Sequence, residues 1–115
     1  DEAAGIPVIF TIIPDEFQVE DALWSQVRKQ AGVKLERFLP QMVLLSWLEE
    51  KKIPSIDLLP ALLRVPPLAD GRRHLYHLRD THFNRRGNEA AGREIAAQLA
   101  RLGILKNTTE KGEQL

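Results

Sequence analysis

The first apolar run of the chain covers residues 6–13, reads IPVIFTII and lies between Gly5 and Pro14. It is rich in β-branched residues and shows no alternation of apolar and polar positions, which is typical of a strand covered by helices on both faces. Pro7 is tolerated because it stands near the start of the strand. The run therefore predicts a strand of a parallel sheet that ends at Pro14 and Asp15, at the carboxyl edge where open α/β sheets place their ligands.

Two helical patterns follow this strand. In the first, apolar residues recur every four positions from Val19 to Val27, and Gly32 marks the end. The second begins at Pro40, a favoured helix starter, and runs through Lys52 with an apolar face. The side chains that we expect to reach the core from these helices are those of Phe17, Leu23, Trp24, Met42, Val43, Leu45, Trp47 and Leu48.

A second strand is predicted over residues 53–59, because IPSIDLL repeats the entry of the first strand. A helix between two such strands implies a right-handed parallel crossover. A short helical turn over residues 60–63, a loop rich in proline and glycine over residues 65–71 and a brief extended segment over residues 74–78 follow.

The last helix is predicted to start after Asn84, a strong N-cap residue whose side chain would meet the backbone N–H of Gly87 three residues on. Its expected buried face consists of Ala91, Ile95, Leu99 and Leu102. We expect residues 1–105 to form one domain, residues 106–115 to form a loose polar tail, and the chain to be part of a longer protein because it begins without Met.

The composition limits the classes of function. With 115 residues, 43% of them hydrophobic and 28% charged, the chain has room for one ordinary core. The formal net charge of zero gives no general argument for nucleic acid or a membrane surface as a partner, and neither is expected. There is no cysteine for a disulfide or a thiolate site, and no apolar run long enough to span a bilayer.

The stretch that carries chemistry is Asp80-Thr81-His82, on a loop just before the last helix. An imidazole has an ordinary pKa of roughly 6.5, so a carboxylate that holds one ring nitrogen makes the other a candidate general base. Asp80 could reach back to the ring of His82 in this way. The tripeptide alone is weak support, because solvated loop charges are the commoner explanation.

Several segments of the sequence, taken together, resemble the C-terminal half of an SGNH (GDSL-type) hydrolase of the branches with an Asp-x-His spacing. They are residues 5–14, Gln18 and Trp24 in the first helix, residues 56–60, Leu75-Tyr76 and residues 80–87. The resemblance implies an α/β fold, here a partial flavodoxin-like three-layer α/β/α fragment with a short parallel sheet and about three main helices. It also implies that His82 is the general base that activates a serine and that Asp80 orients His82.

The same resemblance implies parts that the chain lacks. Family members carry the nucleophile in an N-terminal Gly-Asp-Ser block and oxyanion donors in a Gly-x-Asn-Asp block, and neither occurs here. Ser25 and Ser46 fall within helical patterns and Ser55 within a strand, so none stands on the sharp turn that exposes a nucleophile. We therefore expect this chain to be inactive alone and to need the N-terminal half of the same domain.

The resemblance further implies an ester or an acetylated carbohydrate as substrate and no cofactor, and it leaves the compartment open, with an exported or periplasmic parent as one option. A homodimer through the open edge of the sheet is an alternative partner arrangement.

Two other classes of function stay open. Four residues, His74, His77, Asp80 and His82, have the ligand types of a zinc site, although residues three apart on an extended segment point to opposite faces. The six arginines between positions 72 and 93 would instead suit an anionic ligand at the start of the last helix, in a non-catalytic binding module.

Overall fold

A computed structural model describes residues 5–105, which contain a two-stranded parallel sheet and five helices. Strand β1 (Phe10–Ile12) pairs with strand β2 (Ser55–Asp57), with Phe10 opposite Ser55 and Ile12 opposite Asp57. The parallel pairing and the partial α/β fold are as predicted, although both strands are shorter than the apolar runs that contain them. The predicted polar tail, residues 106–115, and the first four residues lie outside the described residues.

The helices are α1 (Glu16–Val19), α2 (Asp21–Ala31), α3 (Leu39–Glu50), α4 (Leu59–Arg64) and α5 (Arg85–Arg101). Three of them, α2, α3 and α5, are the main helices of the prediction. The first predicted helix is divided in two because Glu20 adopts an extended conformation between α1 and α2. Helix α1 begins with a capping box between Asp15 and Gln18, in which the Gln18 side chain accepts from the N–H of Asp15 at 2.8 Å, and the Asp15 carboxylate also accepts from the N–H of Glu16 at 2.7 Å. Gly32 ends α2 in the left-handed conformation.

The core lies where the sheet, α1, α4 and α5 meet. Its buried members are Val19, Ile56, Leu58, Leu59, Leu62, Leu75, Tyr76 and Ala91. Ile95 and Leu99 pack against this cluster, which confirms three of the four positions predicted for the buried face of α5. The fourth is wrong: Leu102 is 45% exposed, because α5 ends at Arg101 and residue 102 forms its C-cap.

The prediction that the first strand is buried on both faces is wrong. Ile12 is buried, whereas Val8, Phe10 and Ile13 are exposed, so in the described part of the chain no element covers these side chains. Helix α3 shows the same one-sided burial. Leu48 is buried, but Met42, Val43 and Trp47 are exposed.

Trp24 is half-buried and stacks on Phe17 with ring centroids 5.9 Å apart. Of the two tryptophans that were expected in the core, one therefore packs in part and the other, Trp47, lies at the surface. Within residues 5–105, no helix combines the length and the apolar character needed to cross a bilayer.

Candidate active site

The chain between Leu75 and Asn84 forms a tight hairpin, here called the 75–84 hairpin. Tyr76 and Phe83 form an antiparallel bridge, and at the tip the N–H of His77 donates to the carbonyl of His82 at 3.0 Å. At the base, the N–H of Asn84 donates to the carbonyl of Leu75 at 3.0 Å. The extended segment predicted from residue 74 is thus one arm of this hairpin, and the candidate catalytic residues lie at its tip.

Asp80 and His82 are in direct contact at this tip. The Oδ1 atom of Asp80 accepts hydrogen bonds from the backbone N–H of His82, at 3.1 Å, and from the ring nitrogen Nδ1. The hydrogen bond from the His82 side chain holds the pKa of the Asp80 carboxyl below its usual value, and the backbone bond adds to this. An ionised carboxylate accepts but does not donate, so Nδ1 carries a proton. In the neutral ring, Nε2 is then the unprotonated nitrogen.

The imidazole is open to its surroundings. The His82 side chain is 81% exposed, and within residues 5–105 no group hydrogen-bonds to Nε2. A base at this position can receive a proton from a group that approaches from outside the described chain. The predicted contact between Asp80 and the ring of His82 is therefore present, at Nδ1. The ring is exposed and is not packed into the core.

Helix α5 fixes the base of the hairpin. The side-chain oxygen of Asn84 accepts from the N–H of Gly87 at 3.0 Å, as the sequence predicted for an N-cap. Its Nδ2 atom donates in the other direction, to the carbonyls of His74 at 2.7 Å and Tyr76 at 3.2 Å. One side chain thus joins the first turn of the helix to the hairpin that carries the Asp80–His82 pair.

Tyr76 ties the hairpin to the sheet. Its ring packs on that of Phe83, with centroids 4.9 Å apart, and its hydroxyl donates to the carbonyl of Pro14 at 2.6 Å. Burial raises the pKa of the Tyr76 hydroxyl well above its usual value, and nearby acids raise it further, so the hydroxyl remains a donor. Because Pro14 follows β1, the hairpin lies at the carboxyl edge of the sheet, where the sequence predicted a ligand site.

The residues of the zinc hypothesis do not form a cluster. Nε2 of His74 contacts Oδ2 of Asp70 at 2.5 Å, away from the Asp80–His82 pair. Among residues 5–105, no three histidine, aspartate or glutamate side chains come together in a way that could hold a metal ion. The geometry therefore gives that hypothesis no support.

Three of the arginines of the anion-binding hypothesis are bound to protein acceptors. The guanidinium of Arg73 donates to three backbone carbonyls, those of Val19, Leu63 and Val65, at 2.8 to 3.1 Å. Arg86 donates to the carbonyl of Arg73, and Arg85 pairs with Glu89 at 3.2 Å. These contacts tie the arginines to neighbouring parts of the chain instead of directing them at one external anion.

The serines lie where the sequence placed them. Ser25 is within α2, Ser46 is within α3, and Ser55 is the first residue of β2. Since the hairpin contacts the chain beyond the carboxyl end of β1, the start of β2 is at the opposite edge of the sheet.

The sequence from residue 2 to residue 114 matches one protein-family model, described as "SGNH hydrolase-like domain, acetyltransferase AlgX". The chain belongs to this family. The match confirms the resemblance to SGNH hydrolases and assigns the chain to a group of hydrolases and acyltransferases. No curated protein and no solved structure gives a match to the chain.

The sequence did not reveal that Glu20 binds the backbone that leads into the 75–84 hairpin. Glu20 reads as one of several acids near the start of a helix, yet it is 5% exposed and its carboxylate accepts from the backbone N–H groups of Arg73 and His74. A carboxylate that binds backbone 53 residues away leaves no local pattern in the sequence.

Proposed function

We propose that this chain supplies the base and the orienting acid of a Ser-His-Asp triad that transfers or hydrolyses an acyl ester. The observation that supports this most directly is the Asp80–His82 pair, in which Nδ1 is held by a carboxylate and Nε2 is exposed. The family match supports the general class of reaction, which is hydrolysis or acyl transfer.

In the proposed reaction, Nε2 of His82 takes the proton of a serine hydroxyl while the serine oxygen bonds to the acyl carbon. The imidazolium that forms is stabilised by Asp80. It then returns the proton to the departing alcohol oxygen as the ester bond breaks. Water, or a second hydroxyl group, next loses its proton to Nε2 as its oxygen bonds to the acyl carbon, and Nε2 returns that proton to the serine oxygen as the bond between serine and the acyl group breaks. Water as acceptor gives hydrolysis and a hydroxyl group gives transfer.

The acyl group that we propose is acetyl, and the proposed substrate is an ester such as an acetylated carbohydrate. The matched family description names an acetyltransferase, and this supports acetyl over longer chains. The reaction as written needs no cofactor. We further propose that the protein that contains this chain is exported or periplasmic.

The serine and the oxyanion donors, in this proposal, come from outside these 115 residues. Ser25, Ser46 and Ser55 lie in regular elements instead of on a strand-to-helix turn. The exposed apolar side chains of β1 and α3 would then be covered by the N-terminal half of the same domain, or by a second copy of this chain through the open sheet edge.

Sedimentation of the isolated chain tests the partner proposal. We expect self-association that rises with concentration, and its reversal when the missing half is added. If the chain is a monomer at all concentrations, the result would contradict the proposal that its exposed sheet edge needs a partner.

The catalytic proposal is tested with a serine-directed fluorophosphonate and with p-nitrophenyl acetate. The isolated chain should take no label, whereas the protein that carries the missing half should be labelled and should hydrolyse the ester. In that protein, His82→Ala should lower kcat/KM by about 10²–10⁴-fold, the usual worth of a general base. His77→Ala is the matched control, because it removes an exposed imidazole from the same hairpin. Labelling of the isolated chain, or full activity of His82→Ala, would refute the proposal.

A further inference from the structure

Two residues adopt the left-handed backbone conformation: one where the chain enters the hairpin and one in its turn. His74 has φ 54° and Arg79 has φ 53°, and neither is glycine. This conformation is disfavoured for residues with a Cβ atom, so it persists where the surroundings hold it. Arg79 directly precedes Asp80, and the conformation of Arg79 therefore decides where the Asp80 carboxylate points.

A buried acid holds the first of these residues. Glu20 lies at the break between α1 and α2, is 5% exposed, and its Oε1 atom accepts from the N–H of His74 at 2.8 Å. The same carboxylate accepts from the N–H of Arg73, at 2.9 Å to Oε1 and 3.1 Å to Oε2. Both oxygens of Glu20 thus bind the backbone that leads into the hairpin.

A second acid, Glu16, lies one turn earlier on α1 and lines the same cleft as Arg79. Glu16, Glu20, His74 and Arg79 all line one cleft of about 320 Å³ beside the hairpin. Burial raises the pKa of the Glu16 carboxyl, and the charges of Glu20 and Asp15 raise it further.

We propose that Glu20 is a positioning residue, which holds the backbone that leads into the hairpin at Arg73 and His74 and thereby sets the geometry of the Asp80–His82 pair. This proposal rests on the proposed function, because the geometry of the Asp80–His82 pair affects activity only if His82 acts as the base. The hydrogen bonds to Glu20 from the backbone that leads into the hairpin can be measured in this chain without an activity assay.

Amide hydrogen exchange in the isolated chain tests the hold residue by residue. Glu20→Gln keeps the shape of the side chain and removes its charge, and charge-assisted hydrogen bonds are about twice as strong as neutral ones. We expect the amides of Arg73 and His74 to exchange at least about fivefold faster in Glu20→Gln. The amide of Asn88 in α5 should not change.

Asp21→Asn is the matched control, because it removes a neighbouring exposed charge that pairs with Arg37 and does not touch the hairpin. As a second readout, the amide signal of His82, whose N–H donates to Asp80, should shift in Glu20→Gln and stay unchanged in Asp21→Asn. If Glu20→Gln does not fold, Glu20→Asp, which keeps the charge but shortens the side chain, should give the same faster exchange at the amides of Arg73 and His74.

Unchanged exchange at these amides, or an acceleration that extends equally to Asn88, would overturn the positioning role. This result is independent of catalysis, since failure of the proposed function is measured separately by the activity of His82→Ala.

Discussion

The backbone carbonyl of Leu75 occupies the space that a side chain at Gly87 would need. A Cβ atom built at position 87 would collide with this carbonyl and would also lie 2.8 Å from Cδ1 of Phe83. The first turn of α5 can approach the hairpin this closely because residue 87 has no side chain. The contact allows the cap of the helix and the arm of the hairpin to share Asn84.

Gly87→Ala should therefore destabilise the fold by about 1–3 kcal/mol, the usual cost of overpacking. Gly92→Ala is the matched control, because a Cβ atom at position 92 of the same helix meets nothing within 4 Å. It should stabilise the fold by about 0.5–1 kcal/mol, as expected for glycine replaced by alanine within a helix. Urea denaturation followed by circular dichroism measures both. Equal effects of the two substitutions would contradict the close approach.

The two tasks of Asn84 can be separated by a pair of substitutions. Asn84→Asp keeps an acceptor for the N–H of Gly87 but loses the donor to the carbonyls of His74 and Tyr76. Asn84→Ala loses both and should cost about 1 kcal/mol more, the typical worth of an N-cap. Amide exchange should show a loosened hairpin in both variants and a frayed α5 in Asn84→Ala alone. Fraying of α5 in Asn84→Asp would show that the cap depends on more than its acceptor.

The contact between Asp80 and His82 predicts a pH dependence. The folded-state pKa of Asp80 is lowered by the hydrogen bond from His82, so the pair contributes stability above the unfolded pKa, near 3.8. This contribution is lost as the pH falls through the folded value. In His82→Ala, the titration midpoint of Asp80, read by carbon NMR of the carboxyl, should rise.

Asp70 provides the reciprocal control for this titration, because a hydrogen bond from His74 lowers its pKa in the same way. Its midpoint should be unchanged in His82→Ala and should rise in His74→Ala. If both carboxyls respond to either substitution, the two pairs are coupled through the loop between them and the shifts do not report local contacts.

Tyr76→Phe removes the hydroxyl that ties the hairpin to the end of β1. The buried carbonyl of Pro14 is then left without this donor, and such a loss costs about 1–3 kcal/mol. The phenyl ring still packs on Phe83, so the core should remain filled. Urea denaturation should show the loss, and a variant as stable as the original would mean that water replaces the hydroxyl.

Much of the local structure was decided by the sequence alone. The apolar runs predicted a parallel pair of strands, and the pattern of Asn84 and Gly87 predicted where α5 begins, because caps and strand cores depend on neighbours in the sequence. The spacing of Asp80 and His82 also predicted their contact, since two residues on one loop are close in any fold. These features need no knowledge of distant parts of the chain.

The tertiary structure decided which surfaces are covered and which distant groups hold the hairpin. An apolar run shows that a segment can be buried, but burial requires a partner, so Phe10 and Trp47 remain exposed although their patterns favour a core. The hold of Glu20 on His74 joins residues 54 positions apart, and the hydroxyl of Tyr76 reaches Pro14 across 62 positions. Contacts of this kind arise from how the elements pack, and no local pattern of residues encodes them.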